Sequence, residues 1–428
     1  MKVFMRFKYK LNPTAYQKQK LLQFGGCTRF LWNQLLEENL RYEKLTGEYK
    51  NFNDMTKSII RLKQEHEFLK EAPAQSLQRV ARHQEMTINE YKKKKDTKDY
   101  FKKKAKREAK KQKRIAMGTF NPDKTETDVF FPNFKKKSSQ EDAFYIPQAW
   151  SSTKNFVKIP KIGKVKWIKH RPLRGKPKSI TITQHGKDWF CTVLCEVNII
   201  EQEMKDENIA GVDLNLIEFA VLSDGTRIER QRFTNKNEKK LAREQRRLSR
   251  KVKGSNNYEK QRRKLQKVHD KIANQRKDFL NKTSHFMITK YDGFSFETLN
   301  IQGMVKNHKL AKSIHDVSWY EFKRQMEYKS KWNFKYFIEI GTFEPSTKMC
   351  SGCGSIKNMK LSDRTYECPK CGLEIDRDLN AAINIRNIGL RNTFGLKVIY
   401  ACGDDVRQTS AEPKTMQSSV KQENGLNR

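Results

Sequence analysis

The feature that most constrains the fold is a set of four cysteines in the last fifth of the chain, spaced C-x2-C-x14-C-x2-C. The set consists of Cys350, Cys353, Cys368 and Cys371. Two residues between the members of a pair let both thiolates face one ion, and the longer gap lets the second pair complete a tetrahedron. Gly354 and Gly372 follow the pairs, where the chain must turn tightly. Four thiolates leave no position for water or substrate, so the pattern predicts a structural zinc ion.

The remaining cysteines show no pairing pattern; they are Cys27, Cys191, Cys195 and Cys402. Their spacing in a chain of 428 residues is not that of a disulfide framework, which indicates a reducing compartment. The amino-terminal segment MKVFMRFKYKLNP alternates apolar with polar or basic residues, a pattern that predicts a strand rather than a signal peptide. We therefore expect a cytoplasmic protein.

The charge of the chain is strongly basic. It has 89 Lys and Arg against 49 Asp and Glu, a formal net charge of +40. Such an excess is typical of proteins that bind a polyanion, so nucleic acid is the predicted partner. A membrane surface would attract the same charge, but the chain has no run of about 18 apolar residues to span a bilayer. The run from Lys92 to Arg114 predicts either a solvated helix face or mobile linker, or a set of phosphate contacts.

The first half of the chain divides into a helical region between strands. Residues 1–10 predict a strand, and 14–115 predict helices, one of which continues through SIIRLKQEHEFLKEAP to Pro73. Residues 156–168 and 179–197 alternate with period two, and HGKD predicts a hairpin turn in the second stretch. These strands predict a small β-barrel with the helices inserted after its first strand.

The second half mixes strands and helices. The segment IAGVDLNLIEFAVLSDGTRI predicts a two-stranded hairpin whose first strand is central, because it is apolar on both faces. The basic stretch from Asn235 to Tyr291, broken at 253–257, predicts a helical hairpin with one face on the core. The segments YDGFSFETLN and KYFIEIGTF predict strands, and SWYEFKRQMEYKSKWNF and RDLNAAINIRNIGL predict helices. The chain is therefore predicted to be α/β and multidomain.

Three acidic residues lie where packing gives them no role. Asp213 and Glu297 end apolar strands, and Asp378 opens a helix directly after the cysteines. Carboxylates grouped in this way suit Mg²⁺, and two such ions can promote phosphodiester hydrolysis. Each acid also has a simpler interpretation: Asp213 can cap a turn, Glu297 can pair with a surface lysine, and Asp376 or Asp378 can cap the helix. The order strand-Asp, strand-Glu, helix-Asp nevertheless matches an RNase H-like sheet.

Four segments together resemble one protein family. GVDLNLIEFAVLSDG, FETLNIQGMVKNHKLAKSIHDVSWYEFKRQMEYK, FEPSTKMCSGCG and CPKCGLEIDRDLNAAINI closely resemble the TnpB (OrfB-type) proteins of insertion sequences. The similarity covers most of the chain: RFLWNQLLEENLRYEKLTG resembles the family's helical region, and KIPKIGKVKWIKHRPLRGKPKSITI its barrel. These proteins are RNA-guided DNA endonucleases with a split RuvC domain and are related to type V CRISPR effectors.

The resemblance implies an arrangement of domains. It implies a wedge-like β-barrel (1–10 and 130–203), a helical recognition domain (11–129), a RuvC-like nuclease domain (204–345 and 373–402) and a zinc knuckle (346–372). The tail 403–428 has no periodicity and many Ser, Gln, Asn and Lys residues, which predicts disorder. The resemblance also implies that Asp213, Glu297 and Asp378 are the catalytic acids and hold Mg²⁺, with Asp376 as a neighbour or cap. The knuckle is then an insertion that delivers the last acid.

The resemblance further implies the partners: a guide RNA from the right end of the transposon and target double-stranded DNA, bound by a monomeric ribonucleoprotein of the bacterial or archaeal nucleoid. The basic stretch 235–280 and the Lys92–Arg114 run would contact backbone phosphates. Residues that read the flanking DNA motif would fall at Phe52, Thr56 and Gln78, although polar helix residues are more often simply surface.

Other functions fit the sequence less well. A transposase would need a nucleophilic tyrosine in a His-rich site, whereas the chain has eight scattered histidines. A repressor that binds without cutting would have lost one of the acids. A miniature CRISPR effector would use the same chemistry and would differ only in genomic context.

Overall fold

The computed structural model describes residues 1–119, 127–136, 143–360 and 362–395. The chain forms two compact units, Met1–Glu201 and Gln202–Arg428. The tail 403–428 and Cys402 lie outside the described residues. None of the helices in the described ranges is both long enough and apolar enough to cross a membrane.

The first unit contains an antiparallel half-barrel sheet with the strand order β2-β6-β7-β1-β5-β4-β3. Its strands are β1 (Lys2–Asn12), β2 (Ala143–Ile146), β3 (Ser151–Ser152), β4 (Phe156–Ile159), β5 (Gly163–Ile168), β6 (Lys176–His185) and β7 (Asp188–Asn198). The predicted amino-terminal strand is confirmed, and it pairs with β7 along most of its length. The predicted hairpin of β6 and β7 is also confirmed, and Gly186 supplies a φ of 60° at its turn.

The helices of this unit follow β1, as the sequence predicts. They are α1 (Ala15–Thr46), α2 (Phe52–Glu65), a 3-10 helix (Glu67–Glu71), α3 (Ala74–Lys94) and α4 (Lys98–Ala116). Thr14 and Gln17 form a capping box that starts α1. The predicted continuation of one helix to Pro73 is wrong, because the backbone of His66 is extended and ends α2. The Lys92–Arg114 run is helical except at the junction of α3 and α4.

The core of the first unit lies between the sheet and helices α1, α2 and α3. Apolar residues of β1 and β7 alternate inward, and leucines of α1 such as Leu31 and Leu35 pack against them. Cys27, Cys191 and Cys195 are buried free thiols in this core, as the sequence predicts for these three.

The second unit contains a mixed sheet with the strand order β10-β9-β8-β11-β12. Its strands are β8 (Ile209–Asp213), β9 (Ala220–Leu222), β10 (Arg227–Ile228), β11 (Gly293–Glu297) and β12 (Tyr336–Ile340). Strands β8, β11 and β12 are parallel, and β9 is antiparallel to β8. The central position predicted for β8 is confirmed. The predicted two-stranded hairpin is wrong, since a turn at Asp224 and Gly225 separates β9 from a third strand, β10.

Helices surround this sheet and complete the predicted α/β class. They are α5 (Phe233–Ser249), α6 (Asn256–Lys290), α7 (Ile301–Met304), α8 (His308–Val317), α9 (Trp319–Trp332) and α10 (Arg377–Phe394). The predicted basic hairpin corresponds to α5 and α6, and buried residues such as Leu280 and Met287 fix α6 to the core. Helices α7 and α8 were not predicted. A small antiparallel pair, β13 (Thr365–Glu367) and β14 (Glu374–Asp376), lies between β12 and α10 in the chain.

Candidate active site and cysteine cluster

Helix α10 packs unusually closely on the sheet, because small residues line the contact. A Cβ atom on Gly211 of β8 would lie 2.0 Å from the carbonyl oxygen of Ala382. A Cβ atom on Gly389 would lie 2.2 Å from Oγ of Ser295 in β11, and that hydroxyl donates to the carbonyl oxygen of Ile385 at 2.8 Å. Larger residues at these positions would push the helix away from both strands.

This packing places the three predicted acids at one edge of the sheet. Asp213 is the last residue of β8, Glu297 is the last of β11, and Asp378 is the second of α10. Since β8 and β11 are parallel neighbours, their carboxyl ends meet at that edge. The side-chain amide of Asn215 joins two of the acids: Nδ2 lies 3.4 Å from Oδ2 of Asp213 and 3.3 Å from Oδ2 of Asp378.

The carboxylates repel one another in a partly desolvated environment. Burial raises the pKa of Asp213 to about 7, and the negative charges of Asp378 and Glu297 add to that rise. The hydrogen bond from Asn215 and the positive charge of Arg377 act in the opposite direction. Burial also raises the pKa of Glu297, against the lowering effect of Lys323. The positive charges of Arg377 and Lys323 therefore do not fully offset the negative charge of the three acids at this edge.

A divalent cation fits this arrangement chemically. Three carboxylates supply the hard oxygen ligands that Mg²⁺ prefers, and their mutual repulsion is what a bound cation would relieve. The acids are not drawn tightly together: within the described ranges, only the cysteine set brings three or more candidate ligand atoms within 4.8 Å of one another.

The two acids beside the cysteine segment have different partners. Asp376 caps α10, and its Oδ1 accepts from the amides of Asp378 and Leu379, both at 3.0 Å. Asp376 also pairs with Arg227 at 3.1 Å. Asp378 instead directs Oδ2 to Asn215 and receives Nε and Nη2 of Arg377 on Oδ1, both at 3.2 Å. The helix cap is thus Asp376, which leaves Asp378 to face the carboxylate edge.

The four cysteines converge on one point. Sγ of Cys350 lies 3.6 Å from that of Cys371, and Sγ of Cys353 lies 3.5 Å from that of Cys368. Tetrahedral zinc with bonds of about 2.3 Å requires S–S separations of about 3.8 Å, so the cluster fits that ion. Burial raises the pKa of Cys368, but hydrogen bonds from Ser355 and nearby amides outweigh it and lower the value to about 6. The deprotonated thiol is the form that binds metal, so this lowered pKa favours metal binding by Cys368.

Two buried asparagines of α10 fasten the cysteine segment to the helix that carries Asp378. Nδ2 of Asn380 donates to the carbonyl oxygen of Met349 at 2.7 Å, and its Oδ1 accepts from the amide of Ser351 at 2.9 Å. Nδ2 of Asn384 donates to the same Met349 carbonyl at 2.6 Å. The cysteine cluster and the start of α10 are therefore one connected structure.

The residues predicted to read the flanking motif lie on α2 and α3 of the first unit. Phe52 is half-buried beneath the guanidinium of Arg82, whose Cζ lies 4.2 Å from the ring centroid. The hydroxyl of Thr56 donates to the carbonyl oxygen of Phe52 at 2.9 Å, and Gln78 is exposed. Their role in recognition stays a prediction.

Several residues of the site were missed by sequence reasoning: Asn215, Arg377, Asn380 and Asn384. A signal for two of them was present, because Asp-Leu-Asn occurs both at 213–215 and at 378–380. The first asparagine of these two joins the acids, and the second anchors the cysteine segment.

The fold and these two sites define a class: an α/β protein with a half-barrel sheet, strand-end carboxylates and a four-cysteine cluster. Three family models match the chain. An OrfB model of IS605 elements described as "Probable transposase" matches 192–308, the "Cas12f1-like, TNB domain" matches 319–385, and an OrfB "Helix-turn-helix domain" matches 1–47. Residues 1–47, which the helix-turn-helix model matches, form strand β1 and the single helix α1 in this structure.

Curated relatives match over nearly the whole chain. A Streptomyces pristinaespiralis protein named "Putative RNA-guided DNA endonuclease" is 29% identical and covers 97% of this chain and 95% of its own length. InsQ of Escherichia coli K12, which is also named a "Putative RNA-guided DNA endonuclease", is 29% identical, and the match covers 97% of this chain and 99% of InsQ. A structure of Cas12f1 in complex with sgRNA and target DNA aligns with a TM-score of 0.33 at 16% identity. The alignment covers 90% of this chain and 99% of the Cas12f1 chain. The chain is thus similar over nearly its whole length to proteins named RNA-guided DNA endonucleases, and two of its segments match OrfB models of IS605 elements.

Proposed function

We propose that this chain is an RNA-guided DNA endonuclease of a transposable element, with a metal-dependent RuvC-type active site at the carboxylate edge. The observation that carries the proposal is the bridging of Asp213 and Asp378 by Asn215, with Glu297 at the end of the adjacent parallel strand. The names of the full-length relatives support the same activity. All three acids are present, which disfavours a repressor that binds DNA without cutting.

The topology of the second unit supports a nuclease domain of the RNase H-like type. Three antiparallel strands, β10, β9 and β8, continue into the parallel strands β11 and β12, and α10 packs on the centre. We assign the nuclease domain to 204–345 and 373–402 and the knuckle to 346–372. In the first unit, the wedge-like domain comprises 1–10 and 130–203, and the helical recognition domain comprises 11–129.

The residues of the edge have distinct tasks in this proposal. Two Mg²⁺ ions, when bound, would activate a water nucleophile and stabilise the leaving oxygen of the cleaved phosphodiester. Asp213, Glu297 and Asp378 would hold it, and Asp213 must lose its proton to do so. Arg377 restrains the orientation of Asp378 through two nitrogens. Zinc at the four cysteines would be structural and would fix the start of α10.

The partners follow from the charge and the family. We assign the guide RNA to a transcript of the transposon right end and the target to double-stranded DNA, bound by one copy of the chain. Helices α5 and α6 and the Lys92–Arg114 run would contact backbone phosphates, whereas Phe52, Thr56 and Gln78 would read the flanking motif. Base pairing with the guide would supply the remaining sequence specificity.

Expression of the chain together with its native flanking DNA tests the function. We expect a discrete RNA with a variable guide segment to co-purify, and the complex to cut DNA that matches the guide only when Mg²⁺ is present. Heterogeneous co-purified RNA, together with no cutting of matched DNA, would exclude the guided-nuclease function.

A further inference from the structure

A single amide group stands between two of the acids. Nδ2 of Asn215 is within 3.4 Å of an Oδ2 atom on each of Asp213 and Asp378. The residue lies in the loop after β8, whereas Asp378 is 163 positions further along the chain. Asn215 therefore connects the two polypeptide segments that must meet to form a metal site.

The orientation of the Asn215 side chain is fixed by its other end. Oδ1 accepts hydrogen bonds from the amides of Ile217 at 3.1 Å and Glu218 at 2.9 Å. Such an Asx turn requires the carbonyl oxygen at this position, so the amino group must point towards the carboxylates. The turn is built into the backbone after β8, and the direction of the donor follows from it.

We propose that Asn215 is a positioning residue that holds Asp213 and Asp378 together before a metal binds, its amino group donating to an Oδ2 atom of each acid. The inference rests on the proposed metal-dependent function. Two carboxylates at this spacing repel, and a shared donor offsets part of that repulsion. The ion then meets a preformed pair.

The two distances from Nδ2 of Asn215 to the acids indicate that the residue should strengthen metal binding rather than compete with the ion. At 3.3 and 3.4 Å both hydrogen bonds are longer than the usual range of about 2.7–3.2 Å, so their loss on metal binding would cost little free energy. Without Asn215, the acids would separate and the ion would have to draw them together. Residues that orient metal ligands typically change metal affinity by about 10- to 100-fold when they are replaced.

The test measures metal binding by the full-length, zinc-loaded chain freed of nucleic acid, with Mn²⁺ as the probe and electron paramagnetic resonance reporting free Mn²⁺. Asn215→Ala removes the turn acceptor and the amino group. Asn215→Ser keeps a hydroxyl that can accept from the turn amides but cannot reach the acids. Asp213→Ala identifies the Mn²⁺ that binds at the carboxylate edge.

We expect both Asn215 variants to weaken the Asp213-dependent Mn²⁺ binding by about tenfold. Cleavage of matched DNA by the guide complex should shift to higher Mg²⁺ concentration. Wild-type affinity in Asn215→Ser would limit the residue to the turn and overturn the proposal. Tighter binding in either variant would make Asn215 a competitor of the ion and overturn it as well.

Failure of the two proposals can be told apart. If Asp213→Ala binds Mn²⁺ like wild type, the edge holds no metal and the inference about Asn215 fails with it. If wild type binds Mn²⁺ through Asp213 and the Asn215 variants weaken this binding, but no DNA is cut, only the nuclease function fails. Asn215→Ala in an Asp378→Ala background should show no further loss, because the acceptor at one end of the bridge is already absent.

Discussion

At the scale of single residues, Asp213 combines two opposing demands. It ends a strand whose other residues are buried, and as a proposed metal ligand it would have to carry a charge. The fold therefore keeps this carboxyl in an environment that disfavours its ionised form in the absence of a cation. The same environment makes the residue sensitive to pH near neutrality, unlike an exposed aspartate.

Stability of the metal-free chain should consequently fall as pH rises through this titration. The pKa of Asp213 is raised from 3.8 to about 7, so the folded state binds the proton more strongly than the unfolded state between those values. The titration of Asp213 does not change the free energy of unfolding below pH 3.8. Between pH 3.8 and about pH 7 it lowers that free energy increasingly, by at most about 4 kcal/mol.

Thermal unfolding of wild type and Asp213→Asn in Mg²⁺-free buffer checks this expectation. The variant should unfold at a higher temperature than wild type at pH 8, with a smaller difference at pH 5. Added Mg²⁺ should raise the unfolding temperature of wild type at pH 8 and leave the variant unchanged. Equal pH profiles for the two proteins would show that Asp213 titrates normally.

At the scale of elements, the contact of α10 with β8 and β11 builds the site. Gly211→Ala should separate helix and strand, because the new Cβ would overlap the carbonyl oxygen of Ala382. Overpacking of this kind typically costs about 1–3 kcal/mol. We expect a lower denaturation midpoint for the second unit and weaker metal binding, since Asp378 moves with α10.

Gly341→Ala is the matched control for this substitution. Its nearest neighbour, Cγ of Glu344, is 3.6 Å from the new Cβ, an ordinary contact. The denaturation midpoint should remain close to that of wild type. If Gly211→Ala were as stable as Gly341→Ala, the close approach of α10 would not be a constraint on the fold.

The cysteine segment is the second element that positions Asp378. Cys368→Ser should lower the zinc content from about one ion per chain to none, because three ligands and a hydroxyl hold zinc poorly. Asn380 and Asn384 would then lose their partners at Met349, and the Mg²⁺ requirement for cleavage should increase. Elemental analysis of the purified protein measures the zinc directly.

Cys191→Ala provides the comparison, since Cys191 is buried in the core of the first unit, which does not contain the cysteine cluster. It should retain one zinc ion per chain. A Cys368→Ser protein that keeps zinc, or one that lacks zinc and cleaves at wild-type Mg²⁺ concentrations, would contradict the structural role of the cluster.

Local patterns in the sequence predict most elements of this fold, since hydrophobic periodicity and turn residues act over a few positions. The strands β1 and β8 and the β6–β7 hairpin are examples. The end of α2 at His66 and the separate strand β10 were missed, because their apolar residues alone do not mark a break. In the candidate site, Asp213 and Glu297 were predictable from strand ends and Asp378 from a helix start, whereas the role of Asn215 depends on its contact with the distant Asp378.

At the scale of the whole molecule, part of the net charge of +40 comes from basic residues that line up along one face of a helix. Four exposed lysines follow one face of α6 at helical spacing: Lys260, Lys264, Lys267 and Lys271. If they contact phosphates, replacing all four by alanine should reduce the slope of log affinity against log salt for guide RNA by about 3.

Measurement of RNA affinity between about 50 and 200 mM salt tests this row of lysines. Lys282→Ala is the control on the same helix, because its charge is already matched by Asp278 at 2.7 Å. Its salt slope should equal that of wild type. An unchanged slope in the fourfold variant would place the RNA on another surface.

Cleavage at the carboxylate edge is tested by comparing wild type and Asp213→Ala as guide-RNA complexes on matched DNA. Asp278→Asn, which changes one exposed acid of α6, is the control. We expect Mg²⁺-dependent cleavage by wild type and the control, none by Asp213→Ala, and equal RNA and DNA binding by all three. Cleavage by Asp213→Ala, or loss of its nucleic-acid binding in a folded protein, would contradict the assignment of the carboxylate edge as the metal-dependent active site.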